Sequence, residues 1–277
     1  MKTRSDIKLI AMDLDGTLLT PDKRLTERNR AAMAKAAEAG ISIVPATGRI
    51  YAGVPEEIKT LPFIRYLILA NGATVYDRET DRVLYSAEIP PETAVAVLAW
   101  LDGFPAIYDC YQDDRGYMTA EMWEKADRYA PSPIYLQMIR TLRKPVPDLK
   151  EHIRSRGRSV QKLQAFCETT ETQMLVLEKT AARFPELAVS SSVARNVEIN
   201  DARANKGAAL QALCDYLRIG TEATMAFGDG SNDLSMIRTA GTGVAMGNSV
   251  PAVLEAADRI APDNDSDGVG CVIETIL

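Results

Sequence analysis

The sequence contains one histidine, His152. That leaves no histidine cluster for a zinc site and no H-E-x-x-H protease, and it argues against a Ser-His-Asp triad. Cysteine is scarce too: Cys110, Cys167, Cys214 and Cys271 lie far apart with no C-x-x-C pair, so neither a zinc knuckle nor a disulfide framework is indicated. An excess of basic charge is missing. Lys+Arg is 32 against 38 Asp+Glu, giving a net charge of −6, which disfavours a dedicated nucleic-acid binder. Apolar runs such as Val95–Leu101 fall far short of the ~20 residues of a membrane-spanning helix. The short apolar stretch Ile7–Met12 is interrupted by Asp13 too soon for a signal peptide. The expected location is therefore the cytoplasm, with neither membrane nor nucleic acid as a partner. What remains is ordinary globular composition: 277 residues, 46% hydrophobic and 25% charged. This is enough for one large or two modest domains with a sizeable core.

The apolar pattern divides the chain in three. Near the N-terminus, Ile7–Met12, Ile41–Val44 and Tyr66–Ala70 read as buried strands. Thr26–Ala39 reads as a helix with Thr26 as N-cap and Gly40 as its stop. Thr74–Tyr76 and Val83–Tyr85 flank a polar turn and predict a hairpin. The C-terminal part alternates again: helix Lys206–Ile219, strand Thr224–Phe227, helix Asp233–Thr239, strand Gly243–Met246, helix Val250–Ala257, strand Arg259–Ala261 and helix Gly268–Ile276. Repeated β-α-β predicts a doubly wound parallel sheet, a Rossmann-like α/β core. In the middle, Ala106–Tyr111 and Ser159–Phe166 alternate polar and apolar residues, which predicts an antiparallel sheet with one wet face. The expected plan is a core of residues 1–85 and 195–277 split by an inserted α+β domain, 86–194.

Four segments carry chemistry. Asp13-Leu14-Asp15-Gly16-Thr17 ends the first strand, and Ala46-Thr47-Gly48-Arg49 follows the second. Asn205-Lys206-Gly207 opens a helix, and Gly228-Asp229-Gly230-Ser231-Asn232-Asp233 follows the strand Thr224–Phe227. In an open parallel sheet, ligands bind beyond the carboxyl ends of strands, so one sheet can bring all four together. They offer a hydroxyl, an ammonium, an amide and several carboxylates, a set suited to Mg²⁺ and a phosphoryl group.

These segments resemble the four motifs of the haloacid dehalogenase superfamily of aspartate-dependent phosphatases. The A-T-G-R sequence, Asn71-Gly72-Ala73 after the third strand and the position of the insert resemble its Cof-like subfamily with a type-IIB cap. The stretch Asp201-Ala-Arg-Ala-Asn205 departs from the more glycine-rich sequence of relatives, which implies a stiffer loop. The resemblance implies Mg²⁺-dependent hydrolysis of a small phosphorylated metabolite, such as a sugar phosphate, through an aspartyl-phosphate. Asp13 would be the nucleophile, and Asp15 the acid and then the base. Asp13, Asp229 and the backbone carbonyl of Asp15 would hold the metal. Leu14, Thr47, Gly48, Lys206 and Asn232 would bind phosphate, with Lys206 also neutralising charge in the transition state. Asp233 would orient Lys206 or a metal-bound water. The insert would cover the site and choose the leaving group. A phosphomutase could use the same aspartyl-phosphate, and would give an isomerised sugar phosphate without free phosphate. A phospho-accepting signalling module also uses Asp and Mg²⁺, but would not release phosphate catalytically from an aryl ester.

Other signals are weaker. Asp263–Glu274 matches the EF-hand loop pattern, but Arg259–Pro262 before it reads as a strand, so a polar turn capping the last helix is expected. Gly241-Thr-Gly243 reads as turn chemistry, His152 as a solvated residue and the cysteines as small buried residues. Between Arg128 and Lys162, nine basic residues (Arg128, Arg140, Arg143, Lys144, Lys150, Arg154, Arg156, Arg158, Lys162) face only Asp148 and Glu151. They read as a solvated face or as a basic surface that attracts anionic substrates.

Overall fold

Four apolar residues with no exposed member, Leu9–Met12, form β1, an interior strand of the main sheet. The computed structural model describes residues 7–191 and 193–277. The strands that follow are β2 (Ser42–Pro45), β3 (Tyr66–Leu69), β4 (Thr74–Asp77) and β5 (Arg82–Ser86). Next come β6 (Ala106–Gln112), β7 (Arg115–Thr119), β8 (Arg143–Val146), β9 (Lys162–Cys167), β10 (Leu187–Ser190) and β11 (Asn196–Asp201). The chain closes with β12 (Thr224–Gly228), β13 (Thr242–Ala245) and β14 (Arg259–Ile260). It divides into two compact units. Residues up to Arg49, Val54–Ser86 and Asn205–Leu277 make one, and Ile50–Gly53 with Ala87–Ala204 the other.

The first unit holds a five-stranded sheet, ordered β14-β13-β12-β1-β2 and parallel throughout. Helices connect its strands, as parallel pairing requires. Glu27–Glu38 begins where the Thr26 hydroxyl accepts the Asn29 N–H, and Lys206–Leu217 begins where the Asn205 side chain accepts that of Ala208. The β3 segment, expected as a further buried strand, joins this sheet only by a bridge from Ile68 to Ala46. It pairs instead with β4 in an antiparallel sheet, β3-β4-β5, because the β4–β5 hairpin supplies the closer partner.

The second unit holds a six-stranded sheet, β10-β11-β9-β6-β7-β8. It runs to Ala204, beyond the boundary expected at residue 194, because β11 is hydrogen-bonded between β10 and β9. The sheet is antiparallel except for β7–β8, which are parallel. One face packs Tyr108, Cys110, Leu163, Ala165, Cys167, Val197 and Ile199 in an apolar cluster with Val97, Leu98, Ile153 and Val176 from the covering helices. The other face, expected to be wet, is not. Asp109, Lys162, Gln164 and Glu198 are buried on it. Alternation is kept, but the polar side chains pair with one another: Arg143 bonds Asp109 Oδ2 at 2.9 Å and Gln164 at 3.0 Å, and Lys162 lies 3.5 Å from Glu198, while Asp109 Oδ1 is buried without a hydrogen-bond partner among the described residues.

Pairing also engages most of the nine basic residues that read as a solvated face or as a basic surface. Arg128 meets Glu168, Lys150 meets Asp102, Arg154 meets Glu151, and both Arg156 and Arg158 meet Asp113. Arg140 stacks over Trp123. Most of these acids come from outside the 128–162 window, which is why the window alone looked unopposed. His152 is half-buried against Tyr117 rather than solvated, with ring centroids 4.3 Å apart. Cys110, Cys167 and Cys214 are buried, whereas Cys271 is half-buried. Gly243 lies within β13, in the strand expected there, and a Cβ on it would meet the Ile237 carbonyl oxygen at 2.6 Å. Among the described residues no helix is long and apolar enough to cross a membrane.

Candidate active site

Parallel pairing places the carboxyl ends of β2, β1 and β12 side by side. Met12 is in register with Pro45 on one side and Phe227 on the other. The ladder continues one step further through Asp13 N–H to the Phe227 carbonyl at 3.0 Å, and Ala46 N–H to the Met12 carbonyl at 2.7 Å. Asp13, Thr47 and Asp229 therefore leave the sheet at the same edge.

Lys206 reaches the same place from the first turn of its helix. It is wholly buried, with Nζ donating to Asp13 Oδ1 at 2.6 Å and to Asp233 Oδ1 at 2.5 Å. Its loop is fixed by Gly72, at φ +94°, where a Cβ would meet the Asn205 carbonyl oxygen at 2.3 Å. Burial alone would lower the Lys206 pKa, but the charges of Asp13 and Asp233 outweigh it and hold the ammonium protonated. Asp233 is fully engaged, since its other oxygen accepts the backbone N–H groups of Asp229 and Gly230, both at 2.9 Å. It anchors Lys206 and closes the Asp229 turn.

Asp13, Asp229 and Asp233 each offer a carboxylate oxygen, all within 4.8 Å of one another. Asp13 Oδ1 is held by Lys206 and Asp229 Oδ1 by the Thr17 hydroxyl at 2.7 Å, so each has a second oxygen to give. Burial raises the pKa of Asp13 despite Lys206, with Asp233 and Asp15 adding to the rise. Burial likewise raises Asp229, to about 6, aided by Asp233 and Asp15 and opposed by Thr17 and Lys206. One ammonium thus leaves negative charge uncompensated among hard oxygen donors, a set that fits Mg²⁺. Gly16, at φ +87°, lets the loop pass here: a Cβ would meet Asp229 Oδ2 at 2.4 Å.

Asp15 faces a different environment. Arg49 grips it with both arms, Nε to Oδ2 at 2.8 Å and Nη2 to Oδ1 at 2.7 Å, and Lys23 Nζ lies 2.8 Å from Oδ1. Burial would raise its pKa, but these two cations overcome that and hold it down at about 2. Asp15 is therefore presented as a carboxylate, the form a base needs; the acid role requires a proton that Arg49 and Lys23 oppose.

The expected phosphate ligands fall into two groups. Thr47 is buried at the end of β2, its hydroxyl accepting the Arg49 N–H at 3.2 Å, with Gly48 beside it. Asn232 Nδ2 donates to Asn71 Oδ1 at 3.1 Å, and that oxygen would lie 2.7 Å from a Cβ on Gly48. Leu14 differs: its side chain is wholly buried in apolar surroundings, so only its backbone can serve a phosphate.

Sequence reasoning assigned no role to Arg49, Lys23 or Thr17. Arg49 and Thr17 close two of the motif segments, so their positions were a usable signal; Lys23, in a polar turn, carried none. The EF-hand-like tail, expected as a polar turn capping the last helix, does precede the helix Gly268–Glu274, though the Asp267 side chain makes no capping hydrogen bond among the described residues. It supports the catalytic loop: the Asn264 side chain donates to the Leu19 carbonyl at 2.7 Å, and its N–H donates to Asn248, which holds the Gly16 carbonyl at 2.8 Å. The segment before it is β14, not the helix an EF-hand requires.

Comparison with known proteins agrees in family. Residues 10–273 match the profile of the haloacid dehalogenase-like hydrolases. The chain is 30% identical to phosphatase YwpJ of Bacillus subtilis strain 168, over 98% of this chain and 100% of that protein. It is also 30% identical to the 5-amino-6-(5-phospho-D-ribitylamino)uracil phosphatase YcsE of the same organism, over 97% of this chain and 95% of that one. A solved haloacid dehalogenase-like hydrolase from B. subtilis superposes with a TM-score of 0.83 at 29% identity, covering 98% of this chain and 100% of that one.

Proposed function

The chain belongs to the haloacid dehalogenase-like hydrolase family, and from that premise we propose that it is a Mg²⁺-dependent phosphatase of small phosphorylated metabolites acting through an aspartyl-phosphate on Asp13. The observation that carries this reading is the meeting of Asp13 and Asp229, from adjacent strand ends, with Lys206 from the first turn of its helix. Lys206 donates to one oxygen of Asp13 and orients the carboxylate, which is the nucleophile. The carboxylate attacks phosphorus, forming the Asp13 O–P bond as the P–O bond to the leaving group breaks. Asp15 gives the leaving oxygen its proton, then takes one from the water that cleaves the acyl-phosphate, which frees inorganic phosphate and restores Asp13. A bound phosphate dianion beside Asp15 counters Arg49 and Lys23, since a like charge raises a carboxyl pKa. Thr47, Gly48, Asn232 and the Leu14 backbone hold phosphoryl oxygens. Lys206 offsets charge in the transition state. Asp13, Asp229 and the Asp15 carbonyl would hold Mg²⁺, which supplies positive charge to the phosphoryl oxygens.

The test is phosphate release across a panel of phosphomonoesters with Mg²⁺. Excess chelator should abolish release and added Mg²⁺ should restore it. Ca²⁺ should inhibit, because its longer bonds and larger coordination number disturb an octahedral arrangement. Undiminished turnover in chelator would refute the metal assignment. An isomerised sugar phosphate without free phosphate would instead indicate a mutase.

Asp15→Asn should lower turnover of alkyl phosphates by roughly 10²–10⁴-fold, the usual scale of general acid–base catalysis. With p-nitrophenyl phosphate, whose leaving group needs little protonation, the first half-reaction should survive and phosphate should accumulate on Asp13. Intact-mass measurement after rapid acid quench would show it. Full alkyl phosphatase activity in this variant would remove Asp15 from the role.

A further inference from the structure

Lys23 occupies a conformation that costs something and ends on a residue of the site. It lies in the tight turn after the catalytic loop, closed by Thr20 N–H to the Arg24 carbonyl at 3.0 Å and Lys23 N–H to the Thr20 carbonyl at 2.8 Å. Its φ is +65°, a region lysine seldom adopts. The turn is tied further by the Thr20 hydroxyl, which donates to Asp22 and accepts the Arg24 N–H. This backbone sends the side chain back to Asp15 Oδ1, where Arg49 already provides two bonds. A third bond is unnecessary for orienting a carboxylate that a guanidinium already grips on both oxygens. Lys23 keeps 40% of its side-chain surface exposed, and an ammonium has two more donors to offer.

Charge shows what those donors suit. Where phosphorus sits, Asp13, Asp229 and Asp233 face one cation, Lys206, which suits a divalent ion. Around Asp15 the balance reverses, with two cations, Arg49 and Lys23, against one carboxylate. If Asp15 protonates the departing oxygen, the leaving group must lie within hydrogen-bond reach of Asp15, and so beside Lys23. We propose that Lys23 is a specificity-determining residue that binds an anionic group on the leaving alcohol, so that the preferred substrates are phosphomonoesters carrying a second negative charge next to the ester carbon. This rests on the phosphatase reading and on Asp15 as the group facing the leaving oxygen.

The test compares two esters of nearly equal shape, 2-phosphoglycerate, with a carboxylate beside the ester carbon, and glycerol 2-phosphate, with a hydroxymethyl group there. The wild type should favour the first by about tenfold in kcat/KM, the scale of one hydrogen bond to a charged group. In Lys23→Met this ratio should fall to near one, through a raised KM for 2-phosphoglycerate. Lys23→Arg should keep the preference and Lys23→Glu should reverse it. A wild type without the preference would overturn the proposal. So would a Lys23→Met variant that loses the same factor on both esters, since that marks a merely structural ion pair. Phosphate release from both esters with an unshifted ratio rejects this inference alone, whereas no release from any ester rejects the phosphatase reading and this inference with it.

Discussion

Asp13→Asn should abolish phosphate release, by roughly 10⁴-fold or more, the scale seen when a covalent nucleophile is removed. The amide has the shape of the carboxylate but no nucleophilic oxygen anion, so the proposed aspartyl-phosphate would not form. The fold should survive. Burial raises the Asp13 pKa, which means the folded protein already disfavours its charge, and Lys206 retains Asp233 as a partner. The expected pair of results is therefore phosphate release at background with a melting temperature within a few degrees of wild type, a shift of about 1 kcal/mol. Wild-type turnover would refute the covalent mechanism. A collapsed melting temperature would show that the Asp13 carboxylate also holds the core together.

Lys206→Ala should lower both activity and stability. It leaves Asp13 and Asp233 buried without their shared cation, and breaking a buried pair from one side costs about 3–5 kcal/mol. Activity should fall roughly 10²–10³-fold, the scale of losing one preorganised donor to transition-state charge. Chemical denaturation without metal should show the full stability loss. Mg²⁺ should return part of it by supplying positive charge near Asp13, without returning the rate. Lys206→Arg should not rescue, since the side chain is wholly buried and a planar fork cannot replace a compact ammonium at two converging carboxylates. A Lys206→Ala protein with unchanged stability would mean the carboxylates are neutralised by some other group.

The two predictions draw on residues whose placement is local. Asp13 follows an unbroken apolar strand, so its position at a strand end is written in neighbouring residues. Lys206 follows Asn205, a helix cap, so its position on a first helical turn is equally local. Parallel β-α-β order then leaves one arrangement of strand ends, which is why the α/β core and the four motif segments were readable in advance.

Tertiary structure alone decided the partners. Nothing near Lys23 in the chain says that a left-handed turn carries it back to Asp15, or that Arg49 will spend its guanidinium there and hold that carboxylate ionised. Six of the nine basic residues between Arg128 and Lys162 meet Asp102, Asp109, Asp113, Glu168 and Glu198, which lie outside that window and reach them only in the folded chain. The polar face of β6, β9 and β11 was expected to be wet for the same reason: alternation assigns a side chain to a face, but whether water or another side chain meets it depends on residues far along the chain. The sequence by itself determined which residues stand at strand ends and helix starts, because those positions follow from the backbone preferences of adjacent residues. The charge state of Asp15 and the fate of each cation were decided only by the fold, because Coulomb forces act between residues that are near in space, wherever they stand in the chain.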